Sequence, residues 1–356
     1  MQKSFHLKGL NGIRAIAALS VVFSHTMLGL NYFGLRSIEG GWKFANYGVT
    51  MFFTLSGFLI TSLLMQEKEQ FSTINIRDFY IRRILRIWPL YYLYIIFVVI
   101  VLYKYFPGQL PGGLAFYLFL AANMSAILNL TLPFLTHYWS LGVEEQFYLI
   151  WPWLFKKYSP LKAVTGFLII FLLIKLLLRF FAPLSVGYQF ISTTKFDCMA
   201  IGALAAILYS SYQKQVATFG FNYFTQIFSW AILIIAAAGY LNIPDFINHD
   251  IFSIATAIII VNVAFNVKTI INLENRIFNF IGKISYGVYV YHVLLIFLLS
   301  KLFNNYLPFN NYTFQVIFIF IIVLSTTLLV SFVSYNFFEK KFLLLKKKFT
   351  KVASSA

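Results

Sequence analysis

The feature that most constrains this chain is a train of apolar segments that recurs from Leu10 to Phe338. Each runs for about 15–25 residues, the length at which an α-helix crosses the hydrocarbon core of a bilayer. No stretch between them is long enough for a separate soluble domain. The pattern therefore predicts an all-α fold, a polytopic integral membrane helical bundle. Composition agrees, because only 11% of the residues are charged where soluble domains carry about a quarter. The net charge of +17 is strung between the apolar segments instead of gathered on a polar domain. That distribution speaks for membrane topology and against nucleic acid as a partner. The one cysteine, Cys198, lies in an apolar context, so no intramolecular disulfide can form and no metal is expected.

Candidate spans lie at 10–30, 47–65, 87–103, 113–129, 139–155, 161–181, 197–211, 222–241, 250–267, 284–303 and 312–336. Lys3 and Lys8 place the N-terminus in the cytoplasm, and the Lys340–Lys351 tail places the C-terminus there, which requires an even number of crossings. If 113–129 crosses, Lys156, Lys157, Lys268, Arg276 and Lys283 all fall outside, against the basic-loop rule. Gly112, Gly113, Asn123 and Asn129 also weaken that segment as a span. The expectation is thus about ten transmembrane helices, both termini cytoplasmic, and one re-entrant or interfacial segment near 113–129. Residues 1–340 form the membrane domain, and 341–356 form a basic cytoplasmic tail, read as solvated and meeting anionic lipid. The Lys3–Leu30 region resembles a signal peptide, but Arg14 and the lack of a small-x-small cleavage site favour a retained first span.

Within the first span, Arg14 and His25 are eleven residues apart, so they lie roughly 16 Å apart on one stripe of a helix. Titratable groups inside a bilayer are costly, so such a pair is read as a functional site, or else Arg14 snorkels to lipid headgroups and His25 is a satisfied packing residue. Arg82, Arg83 and Arg86 follow the second span, with spacings that let the guanidinium groups share a face at the membrane surface. That face can hold a multiply charged phosphate ligand or serve as a topological anchor on acidic lipid. Adjacent Glu144 and Glu145 point about 100° apart on a helix and so do different work, one of them orienting or deprotonating His25, or else form salt bridges between helices. His137 is read either as a contact for a polar substrate or as a solvated loop residue, and Asp197 either as a site residue or as a helix N-cap paired with Lys195. His292 is either a second cavity residue or a packed imidazole bonded to a carbonyl. Ser56-Gly57 favours close helix approach over catalysis.

The stretches LNGIRAIAALSVVFSH, FFTLSGFLIT, FYIRRILRIWPLYY, HYWSLGVEEQFYLIWP, KFDCMAIGALAA and ISYGVYVYH occur in this order over nearly the whole chain. Together they resemble the membrane-bound acyltransferase 3 family. The resemblance implies about ten spans, acyl-CoA (most often acetyl-CoA) as cytoplasmic co-substrate, and acylation of a hydroxyl on an extracytoplasmic sugar or cell-envelope glycan. It implies that Arg14 and His25 are the functional first-span pair, that Arg83 and Arg86 are the cytoplasmic arginines, and that Glu144, Glu145 and Asp197 are the motif acids. Asn11 stands where the family usually has Asp, and Lys195 where it usually has Arg. Some members carry a fused esterase-like domain after the last span, and none is expected here. In the mechanism this suggests, Arg82, Arg83, Arg86 and Arg14 bind the acyl-CoA phosphates. His25 is the general base or the acyl-accepting nucleophile, Glu144 orients it, and His137, Asp197 and His292 contact substrate. The rival is a multi-pass transporter or flippase using the same buried groups as a substrate or proton path. Phe-, Ile-, Asn- and Lys-rich usage suggests a bacterial cytoplasmic membrane; the oligomeric state is not legible.

Overall fold

The computed structural model describes residues 7–38, 42–106, 112–241, 243–303 and 306–350. Lys3 and Lys351, used above for topology, lie outside the described residues, as do parts of the loops at 31–46, 104–138, 242–249 and 304–311. Among the described residues there is no strand. The helices are α1 (Leu10–Leu28), α2 (Trp42–Phe71), α3 (Ile76–Tyr105), α4 (Leu114–Leu118), α5 (Ala122–Ile127), α6 (Trp139–Lys157), α7 (Pro160–Phe181) and α8 (Val186–Thr194). They continue as α9 (Phe196–Ser211), α10 (Gln213–Gly220), α11 (Tyr223–Ala237), α12 (Asp245–Phe265), α13 (Arg276–Phe303), α14 (Tyr312–Ser334) and α15 (Lys340–Lys346).

Eight helical segments among the described residues are long and apolar enough to cross a membrane, and the pair α10 and α11, bent by 69°, makes up to nine. Helix α6 is long enough at 19 residues, but Glu144, Glu145, Lys156 and Lys157 lower its apolar character. The 113–129 segment does not cross. It forms α4 and α5, of five and six residues, each under about 10 Å long at helical rise. The chain turns back between them at Leu120, whose φ is 58°. Asn123 on α5 then exchanges two amide hydrogen bonds with Gln146 on α6, at 3.1 and 2.7 Å, which satisfies polar groups that lipid would leave unpaired.

Small residues set the helix spacing around the first span. A Cβ on Gly57 would stand 1.8 Å from the Met199 carbonyl oxygen, and one on Gly202 would stand 1.9 Å from that of Thr54. Helices α2 and α9 therefore touch backbone to backbone through reciprocal glycines. Gly282 does the same for α13 against α1, where a Cβ would lie 2.0 Å from the Asn11 carbonyl oxygen. With α2 and α13 held this close, α1 is walled in on both sides: twelve of its nineteen residues are buried and Leu28 alone is exposed.

The basic tail is not simply solvated. After a π-helical turn at Tyr335–Glu339, α15 folds back toward α3, and Arg82 Nη1 donates to the Phe349 carbonyl at 2.8 Å. Lys346 on α15 shares a charge environment with Arg14 near the start of α1. Both described ends of the chain thus lie at one end of the bundle, as an even number of crossings requires.

Candidate active site

Helix α1 carries Arg14 and His25 on one stripe; Arg14 lines a chamber and His25 joins a cluster of histidines, the two neighbourhoods meeting at Tyr289. Around Arg14 lies an open chamber of about 120 Å³, lined also by Ser56, Arg83, Arg86, Glu144, Tyr148, Ser285 and Tyr286, with Ser140 and Tyr289 on its wall. Arg14 is buried and donates to Asn11 Oδ1 at 2.9 Å, so Asn11 holds the guanidinium without neutralising it. Arg83 lies over the Tyr148 ring at 5.1 Å, a contact that orients a planar cation but leaves its charge uncompensated. Arg82 is drawn elsewhere: its Nη2 pairs with Glu67 Oε2 at 2.9 Å while its Nη1 meets the tail, so the chamber cations on α3 are Arg83 and Arg86.

Glu144 accepts from Ser56 Oγ at 2.6 Å and faces Arg83, Arg86 and Arg14. Glu145, one residue on and turned away, accepts from Trp88 Nε1 at 3.0 Å through one oxygen, while its other oxygen is buried without a hydrogen-bond partner. The two carboxylates bind different helices, as their spacing required. Lys346 on α15, outside the chamber wall, lies within the electrostatic reach of Arg86, Arg83, Arg14 and Arg82. Against Arg14, Arg83 and Arg86 the chamber wall supplies Glu144, so the space is net positive and suited to a multiply charged anion.

Next to Ser140 and Tyr289, three histidines from three helical segments converge. His25 Nδ1 and His292 Nε2 are 2.7 Å apart, with the rings nearly parallel at 5.0 Å between centroids. His137 stands 5.1 Å from His292 and 6.5 Å from His25, centroid to centroid. It is 3% exposed and bonds the Val290 carbonyl at 3.2 Å through Nε2, so it is no solvated loop residue. The helical turn Thr136–Tyr138 that precedes α6 carries it inward. The carboxylate partner expected for His25 is replaced by His292. Glu144 lies seven residues beyond His137, about 10 Å deeper along the α6 axis, and is engaged by Ser56. Tyr289 belongs to both neighbourhoods: its hydroxyl donates to the His137 carbonyl at 2.8 Å and is 2.5 Å from Ser140 Oγ. Its ring lies 5.4 Å from that of His137.

Asp197 belongs to neither neighbourhood. It is 1% exposed, and its Oδ2 accepts from Lys175 Nζ at 2.5 Å, while Lys175 also reaches Asp250 at 3.2 Å. Its pairing with Lys195 is thus replaced by Lys175, a cation inside an apolar helix that the rule for charges in membrane spans would have flagged. Lys195 instead meets His249 Nε2 at 3.1 Å, and His249 Nδ1 meets Thr50 Oγ1 at 2.9 Å. Asp197, Cys198 and Asp250 bring ligand atoms within 4.8 Å of one another, but the Lys175 ammonium already supplies the positive charge between the carboxylates.

The family model described as an acyltransferase domain matches residues 7–336. The chain is similar to the O-acetyltransferase OatA of Staphylococcus aureus, 26% identical over 94% of this chain and 57% of that protein. It is also similar to the putative peptidoglycan O-acetyltransferase YrhL of Bacillus subtilis, 29% identical over 94% of this chain and 54% of that protein. A third relative is the peptidoglycan O-acetyltransferase OatA of Listeria monocytogenes, 35% identical over 41% of this chain and 24% of that protein. The chain thus spans about half the length of the first two. No solved structure matches it. With the family model covering both the arginine chamber and the three histidines, the chain belongs to the acyltransferase 3 family.

Proposed function

We propose that this protein is a membrane O-acyltransferase of a bacterial cytoplasmic membrane, moving an acetyl group from cytoplasmic acetyl-CoA to a hydroxyl of a cell-wall glycan on the other side. The observation that carries this reading is the pairing, along one helix, of a net-positive chamber with a histidine cluster, with Tyr289 and Ser140 lining the one and touching the other. Arg14, Arg83, Arg86 and Lys346 would hold the phosphates of the donor, and a cationic site of this kind requires an anion to be stable. The roughly 16 Å from Arg14 to His25 along the helix stripe is of the order of an extended pantetheine arm. His25 would then meet the thioester and the acceptor hydroxyl. The hydroxyl oxygen bonds to the carbonyl carbon, the C–S bond breaks, and His25 passes the hydroxyl proton to the thiolate. The glycan acceptor is supported by the names of the relatives, two of which are peptidoglycan O-acetyltransferases.

The donor half is tested by titrating CoA into the purified protein. Charge-assisted hydrogen bonds contribute about 1.5–3 kcal/mol each, so Arg83→Ala with Arg86→Ala weakens CoA binding by a hundredfold or more on the order of those values. Wild-type affinity for CoA in the double variant would refute the assignment.

A further inference from the structure

We infer that His292 is a positioning residue for His25: through one hydrogen bond it fixes which nitrogen of His25 carries the proton. The inference rests on the acyl-transfer reading above for its chemical consequence, but the proton placement follows from geometry. His292 is fully buried on α13, and its Nδ1 lies 3.2 Å from the Val288 carbonyl one turn earlier. A carbonyl only accepts, so Nδ1 is the protonated nitrogen. A neutral imidazole has one N–H, which leaves Nε2 of His292 with the lone pair. That lone pair stands 2.7 Å from His25 Nδ1, so His25 Nδ1 donates and Nε2 is its basic atom.

The alternative is a doubly protonated His292 donating to His25. It would bury a cation whose described neighbours are His25, His137, Tyr289 and backbone carbonyls, with no carboxylate in contact. An uncompensated charge in such a place is costly. The backbone of α13 fixes a second ring in the same way, since His137 donates from Nε2 to the Val290 carbonyl.

The consequence is that His25 is held by a neutral acceptor where a carboxylate is the commoner partner of a catalytic histidine. During transfer the acceptor O–H proton moves to His25 Nε2 as the new C–O bond forms, and it then leaves with the departing sulfur. The Nδ1 proton stays on His25 throughout, shared with His292 Nε2. His292 thus orients the ring and stabilises the transient imidazolium without adding a fixed negative charge beside the acyl group.

The test uses the full chain in detergent, with histidine labelled at both ring nitrogens, and reads the tautomer by two-bond proton–nitrogen NMR. The His25 signals are assigned by their loss in His25→Asn. Wild type is expected to show His25 protonated at Nδ1, and so is His292→Gln, whose amide oxygen can accept the same bond. His292→Phe is expected to shift His25 towards the Nε2–H form. Acetyl transfer from acetyl-CoA to peptidoglycan glycan strands is measured in parallel. There His292→Phe lowers kcat by about tenfold to a hundredfold, within the range that acid–base positioning supplies, with the KM for acetyl-CoA unchanged. His292→Gln recovers most of that loss. His25 protonated at Nε2 in wild type would overturn the inference even if the phenylalanine variant does not fold, and so would an unaltered kcat in a folded His292→Phe. Absence of any transfer by wild type would instead count against the acyl-transfer reading, and the tautomer spectrum would still decide the role of His292.

Discussion

Lys175 shows how a single side chain in an apolar helix is kept charged. It sits between Asp197 and Asp250, with all three groups largely withdrawn from water. Removing one partner of a buried ion pair leaves the other charge uncompensated, at about 3–5 kcal/mol. Lys175→Met should therefore destabilise the protein by that amount in denaturant or thermal unfolding, while the fraction that remains folded binds CoA as wild type does. Unchanged stability would show that the cluster is not the structural tie described here. Arg14 and His25 have the opposite character. Arg14 meets the neutral acceptor Asn11, and His25 meets another imidazole, so neither carries a carboxylate partner and both keep their chemistry for a ligand.

At the scale of elements, α1 is made functional by what packs on it. Its reading as a two-residue stripe needs only helical periodicity within one segment, and the failure of 113–129 to cross follows from the basic residues in the loops beyond it. The partner of His25 was not legible, because it lies 267 residues away on α13, and which helix faces α1 is decided by Gly282 and the packing around it. The same holds for Lys175 with Asp250, 75 residues apart. The reciprocal contact of Gly57 and Gly202 allows no side chain, so Gly57→Leu should force α2 and α9 apart. Its expected result is loss of the folded protein from detergent extracts in size-exclusion chromatography; normal recovery would contradict the close packing. In the tail, Lys340, Lys341, Lys347 and Lys348 are exposed, as a lysine run suggests, but Lys346 is partly covered. The π-helical turn at Tyr335–Glu339 leads into α15, and the segment after it meets Arg82 of α3 through the Phe349 carbonyl. Lys346→Ala should weaken CoA binding severalfold, with the loss shrinking as salt is raised, because exposed charge pairs are screened at a Debye length of about 8 Å in physiological salt. An equal affinity at low salt would remove Lys346 from the donor site.

At the scale of the whole molecule, the helices are arranged around α1. Both described chain ends and the cations lie at one end of the bundle, the three histidines meet the chamber wall at Tyr289 and Ser140, and the Lys175 cluster braces α7, α9 and α12 beside them. On the reading proposed above, the net-positive chamber takes the donor anion and the histidines supply the base for group transfer, whereas a transporter would move an unmodified solute. The most direct measurement supplies acetyl-labelled acetyl-CoA and peptidoglycan glycan strands to membranes containing either wild type or His25→Ala. Label entering alkali-labile sugar esters with wild type, and falling to background with His25→Ala present at the same level in the membrane, is the predicted result. Equal labelling by the two proteins would contradict the central role given to His25.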